Sequence, residues 1–137
     1  MYIKTILEHD YNYAEYVVTD GKNDLKCMCL SVPLSNGQIP KIGMKVEMLY
    51  AFSINSIKLK KVSTLSNEPF KIQSCSYFGY FLQAQVFDAI NALVKVGELI
   101  ISLENDYPSG FPKHIKINDF VEFFVDRIDC VLEDIIY

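Results

Sequence analysis

Imidazoles, thiols and carboxylates do most side-chain chemistry near neutral pH, and this chain holds few of them in useful company. His9 and His114 are the only imidazoles, and neither has a Ser or Cys beside it in a nucleophile setting. Carboxylates pair at Glu122 with Asp126 and at Asp129 with Glu133. General acid–base catalysis needs two such groups converging on one substrate, whereas alternating strands commonly put acids at these spacings on a solvated face. The six glycines are scattered singly, so there is no glycine-rich phosphate cradle. No catalytic constellation emerges, and the chain reads as a non-enzyme that needs no cofactor.

Cys27, Cys29, Cys75 and Cys130 lie among apolar residues. That setting suits reduced thiols packed into the core of a cytosolic protein. Cys27 and Cys29 would point the same way from one strand, but Cys-x-Cys with two distant partners lacks the spacing of a zinc knuckle. No metal site is expected.

Charge is more informative than chemistry. The formal net charge is −4, and it is unevenly spread: residues 1–71 carry nine Lys against seven acids, and residues 72–137 four bases against ten acids. Near the C-terminus Asp119, Glu122, Asp126, Asp129, Glu133 and Asp134 face the single base Arg127. A negative surface of this kind attracts and orients a basic partner. The expected contact surface is Asp119, Glu122, Asp126, Asp129 and Glu133, with Tyr107 and Phe111 as aromatic anchors in the neighbouring loop.

In size and charge the chain resembles the small, acidic, cytosolic immunity proteins that bacteria make against their own toxins. The resemblance carries no residues over; it implies a cofactor-free, stoichiometric inhibitor of a basic toxin domain, a nuclease being one such domain, acting as a monomer or weak dimer. Two rivals stand beside it. A single-strand nucleic-acid binder would use aromatics such as Tyr77, Phe78, Tyr80 and Phe81 with Lys41, Lys45, Lys58, Lys60 and Lys61. The acidic second half disfavours that reading. A structural module would instead associate through an exposed sheet edge.

These residues need elements to position them. A length of 137 residues with half of them hydrophobic suffices for one domain over residues 1–137. The start lacks the pattern of a signal peptide, and no apolar run approaches the ~20 residues of a membrane helix, so a cytoplasmic location is expected. Alternation dominates: Met44, Val46, Met48, Tyr50 and Phe52 share one side of a run, and Val121, Phe123 and Val125 one side of another. Period two means strands.

The first pass along the chain gives strands at Tyr2 to Leu7, Ala14 to Thr19, Leu25 to Val32, Met44 to Phe52 and Ile57 to Val62. Asp20-Gly21-Lys22-Asn23 makes a hairpin turn, Pro33 to Pro40 a loop, and Ser63 to Pro69 a linker. The second half repeats this order with Leu82 to Asp88, Leu93 to Glu104 kinked at Gly97, Phe120 to Arg127 and Ile128 to Ile136. Leu99, Ile101 and Leu103 match Met28, Leu30 and Val32 in pattern, and Pro112 to Ile115 echoes Pro40 to Ile42. The expectation is therefore an all-β fold, OB-like or a related barrel or sandwich, built from two degenerate β-meander halves near 14–62 and 82–136. Leu82, Val86, Ile90 and Leu93 also fit helical spacing, so one short helix over about 81–94 is the alternative.

Overall fold

The structure is a computed structural model that describes residues 1–10, 13–29, 39–63 and 70–132. It is all-β. Eleven strands form one mixed sheet, which is not closed into a barrel, and the described residues include no helix. The strands are β1 (Tyr2–Asp10), β2 (Tyr13–Thr19), β3 (Asp24–Cys29), β4 (Val46–Phe52), β5 (Lys60–Val62) and β6 (Lys71–Ser74). They continue with β7 (Tyr80–Asp88), β8 (Leu93–Val96), β9 (Leu99–Ser102), β10 (Phe120–Val125) and β11 (Arg127–Leu132). The described residues hold no helix long and apolar enough to cross a membrane.

The sheet runs β1-β2-β3-β11-β4-β9-β8-β7-β10-β5, with β6 on β7. Most neighbours are antiparallel; β3 with β11 and β4 with β9 are parallel. The order from β1 to β7 is palindromic about the β11·β4 pair. Each half therefore gives one strand to the other, β11 lying against β3 and β4 against β9.

Two turns show the same hydrogen-bond pattern at matching places. Ile3 N–H donates to Met44 O (2.9 Å), Gly43 N–H to Ile3 O (2.8 Å) and Met44 N–H to Lys41 O (3.1 Å). In the second half Val86 N–H donates to Asp119 O (2.8 Å), Asn118 N–H to Val86 O (2.9 Å) and Asp119 N–H to Lys116 O (3.0 Å). Both turns need a left-handed residue, supplied by Gly43 at φ 90° and Asn118 at φ 70°. Glycine and asparagine are the residues that visit this region at least cost. The first turn also ties the start of β1 to the lead of β4, so the sheet curls back around its core.

The helical alternative over 81–94 fails. Leu82, Ala84 and Val86 are buried at period two, and β7 is laddered to β10 on one side and to β6 and β8 on the other. Pairing on both sides satisfies the backbone that a helix would otherwise satisfy internally. Gly97 is not a kink. Val96 pairs with Leu99, so Gly97 and Glu98 are a two-residue hairpin turn, with glycine at φ 61° in the first position as a type II′ turn demands.

Other differences are of register. In β4 the buried set is Val46, Leu49 and Ala51, because a bulge opposite Val131 and Leu132 interrupts the alternation that Met44 to Phe52 suggested. The described β3 residues that match Leu99, Ile101 and Leu103 in burial are Leu25, Cys27 and Cys29, whereas Leu30 and Val32 lie outside the described residues. The counterpart of Lys41-Ile42-Gly43 is Lys116-Ile117-Asn118, three residues beyond the Lys113 expected. Residues 57–59 carry no ladder, which leaves β5 as a three-residue edge strand. The linker expected at 63–69, apart from Ser63, and most of the 33–40 loop also lie outside the described residues.

Cys27, Cys29 and Cys130 are buried and outside any disulfide, and Cys75 is exposed, against the expectation of four core cysteines. Burial pushes the Cys27 thiol up, and a hydrogen bond with Cys29 followed by burial does the same for Cys130. Thiols held protonated in this way are poor nucleophiles.

Candidate partner-binding surface

Strand β10 buries Val121, Phe123 and Val125, so Glu122 and Phe124 point outward. Phe124 is 65% exposed and rests on Phe81, the ring centroids 4.8 Å apart and the planes tilted by 50°. The chain then bends at Asp126 before β11. Asp126 N–H donates to Phe52 O (3.0 Å) and to Ser53 Oγ (3.2 Å), and its carboxylate accepts Ile54 N–H at 2.8 Å. Those bonds lock residues 52–54 against the bend and leave Ile54 84% exposed.

A second clamp holds the far side of this segment. Ile57 is buried; its N–H donates to Asp106 Oδ2 (2.9 Å), and its carbonyl accepts the Tyr107 hydroxyl (2.7 Å). Tyr107 in turn meets Phe111 edge-on at 5.4 Å. Both rings are partly buried and packed on the core, so they position the 53–58 segment and do not stand out as anchors. Between the clamps Ser53, Asn55, Ser56, Lys58, Phe124 and Asp126 line a cavity of about 330 Å³.

The acids expected to form one negative patch are mostly paired. Asp119 lies 3.2 Å from Lys61 and accepts Lys116 N–H at 2.8 Å, and its carboxyl is held below the usual range by that backbone bond and by Lys61. Glu122 lies 3.7 Å from Lys60. Asp129 pairs with Arg127: Nη2 donates to Oδ2 at 3.3 Å, and Nε lies 2.7 Å from Oδ1 as a charge contact. Glu133 lies outside the described residues. Among the described acids of the set, Asp126 is the one with no cation within ion-pair distance. The unbroken acidic face is thus replaced by ion pairs with one open carboxylate beside an open ring.

Of the aromatics named for the nucleic-acid rival, Tyr77 is 61% exposed and the others are partly or fully buried. Lys26 Nζ sits 3.8 Å from the centroid of the Tyr77 ring, the Tyr77 hydroxyl donates to Glu15 Oε2 at 2.8 Å, and Phe78 packs edge-on against Tyr77 at 4.7 Å. Tyr80 is buried, its hydroxyl accepting Lys26 N–H at 2.8 Å. Phe81 supports Phe124.

Sequence reasoning passed over Phe124 and the 53–58 segment. The signal was present: if Val121, Phe123 and Val125 face the core, Phe124 must face out. No protein-family model matches the chain, and no curated protein or solved structure matches it either.

Proposed function

We propose that the chain is a non-catalytic protein-binding module of the cytoplasm that neutralises a basic partner, on the pattern of a small immunity protein bound to a toxin domain. The observation that carries this reading is the exposed Phe124 and Ile54 beside Asp126, a carboxylate with no cation within ion-pair distance among the described residues. Aromatic residues such as Phe are enriched at interfaces, and an adjoining charge orients a partner of opposite sign. The net charge of −4 adds a long-range field that speeds the approach of a basic protein. Buried cysteines outside any disulfide accord with a reducing compartment. The paired acids Asp119, Glu122 and Asp129 contribute less than a free patch, because Lys61, Lys60 and Arg127 cancel their field at short range.

The test is affinity capture with the tagged chain at low and moderate salt, followed by purification of the captured protein and reassembly from the two pure components. A basic protein that reassembles at one-to-one stoichiometry and loses its own activity in the complex is the expected result. Recovery of nucleic acid alone, or of no basic protein that reassembles, overturns the reading.

A further inference from the structure

The Phe52–Arg127–Asp129 group shows how this fold holds a guanidinium. Arg127 Cζ stands 4.2 Å from the Phe52 ring centroid, its Nη2 donates to Asp129 Oδ2 at 3.3 Å, and its Nε lies 2.7 Å from Oδ1 as a charge contact without hydrogen-bond geometry. A ring face takes the weakly hydrated flat cation, while a carboxylate takes its N–H edge. Phe124 and Asp126 repeat the ingredients close by, since Asp126 N–H is bonded to Phe52 O, but with no arginine of the chain in place. They also border a cavity of about 330 Å³ that opens on their side of the molecule.

We infer that the Phe124–Asp126 cavity is an anchor for an arginine side chain projecting from a loop of the basic protein partner. This rests on the reading above and names its recognition chemistry. The guanidinium stacks on Phe124, and its N–H groups reach the Asp126 oxygen that Ile54 N–H leaves open. Ser53, Asn55 and Ser56 supply hydroxyl and amide groups for the remaining N–H donors. Lys58 lines the same cavity without pairing to Asp126, and its ammonium suits a backbone carbonyl of the incoming loop. Inside the cavity the formal charges of Asp126 and Lys58 offset, and the chain's net charge of −4 then favours a cation over a nucleotide phosphate. Arginine is preferred to lysine because a compact, strongly hydrated ammonium gives up more water to sit on a ring and cannot fork.

The probe is capped arginine, N-acetyl-arginine methylamide, titrated into the labelled protein and followed by amide and aromatic NMR shifts, with capped lysine as control. Saturable shifts confined to residues 53–58 and 124–126 are expected, with capped lysine at least about threefold weaker. Asp126→Asn keeps an acceptor for Ile54 N–H, so the bend survives; this variant and Phe124→Ala should each lower capped-arginine affinity about tenfold, in keeping with a charge-assisted pair and a stacked cation. Unchanged backbone spectra away from the site certify the fold of both. Absence of saturable shifts, or equal shifts in the Asp126→Asn variant, overturns the anchor. The two readings fail differently: a captured basic protein that still binds both variants removes the anchor and keeps the module, whereas capped-arginine binding without any captured basic protein removes the module and keeps the site.

Discussion

Glu15 is the buried charged side chain among the described residues: it is 4% exposed, on the outward side of β2, and roofed by the turn between β6 and β7. It accepts the hydroxyls of Tyr13 and Tyr77. The hydrogen bond to Glu15, with smaller help from burial, pushes the Tyr13 phenol up to about 12, and a separate hydrogen bond to the other Glu15 oxygen raises Tyr77. A phenol in an unfolded chain ionises near pH ~10. Above that value the folded chain therefore keeps a proton that the unfolded chain has released. The contribution to stability is fully present below about pH 10 and is lost as pH rises through about 12. Tyrosinate absorbance followed from pH 9 upward, at roughly half-unit steps, should show phenols titrating late, and Glu15→Gln should bring them down toward the ordinary value. Unchanged late titration in that variant would mean that Glu15 is not the cause.

At the scale of elements, two hairpin turns meet where the halves of the chain touch. Asp20 accepts Lys22 and Asn23 N–H through Oδ1 and, from the other half, Glu98 N–H at 2.8 Å through Oδ2. Burial works to raise this carboxyl, but the bonds from Asn23, Glu98 and Lys22 outweigh it and hold it at about 2. A Cβ at Gly97 would run into the Asn23 side-chain nitrogen and come within 2.7 Å of Asp20 Oδ2, at a φ of 61°. Gly97→Ala should cost about 2 kcal/mol, roughly half from the left-handed backbone and the rest from displaced partners. The loss should appear as a lower urea midpoint at unchanged slope. An unaltered midpoint would show that the two turns do not support one another. Strands and tight turns such as Asp20 to Asn23 were legible because alternation and turn chemistry are local. Gly97-Glu98 is also a local turn signal, but continuous apolar residues on both sides masked it as one long strand. The acid pairing was not legible, because Lys60 meets Glu122, and Lys61 meets Asp119, only through the pairing of β5 with β10, strands far apart in the sequence. Nor was the cavity, whose walls come from residues 53–58 and 124–126 and are fixed by Asp106 and Tyr107 from a third segment.

The whole molecule is interlocked by exchange, and this has a consequence for how it folds. Strand β11 lies between β3 and β4 and buries Ile128, Cys130 and Leu132 among residues of the first half, while β4 supplies the strand against which β9 ends. A chain of residues 1–62 would lack the strand between β3 and β4, exposing Leu25, Cys27 and Leu49 to water. A chain of residues 70–137 would lose the partner of β9 on one side and of β11 on both. Uncovering a large apolar side chain costs ~1.5–3 kcal/mol, so several of them outweigh the 5–15 kcal/mol by which whole domains are stable. Each fragment alone is therefore expected to lack a cooperative thermal transition. An equimolar mixture should recover the strand signal and the transition of the intact chain, slowly, because the pairings that matter join distant residues. Circular dichroism of the separate and mixed fragments tests this directly. A cooperative transition in either fragment by itself would mean that its half is a domain in its own right, and that exchange of β4 and β11 decorates the fold instead of creating it.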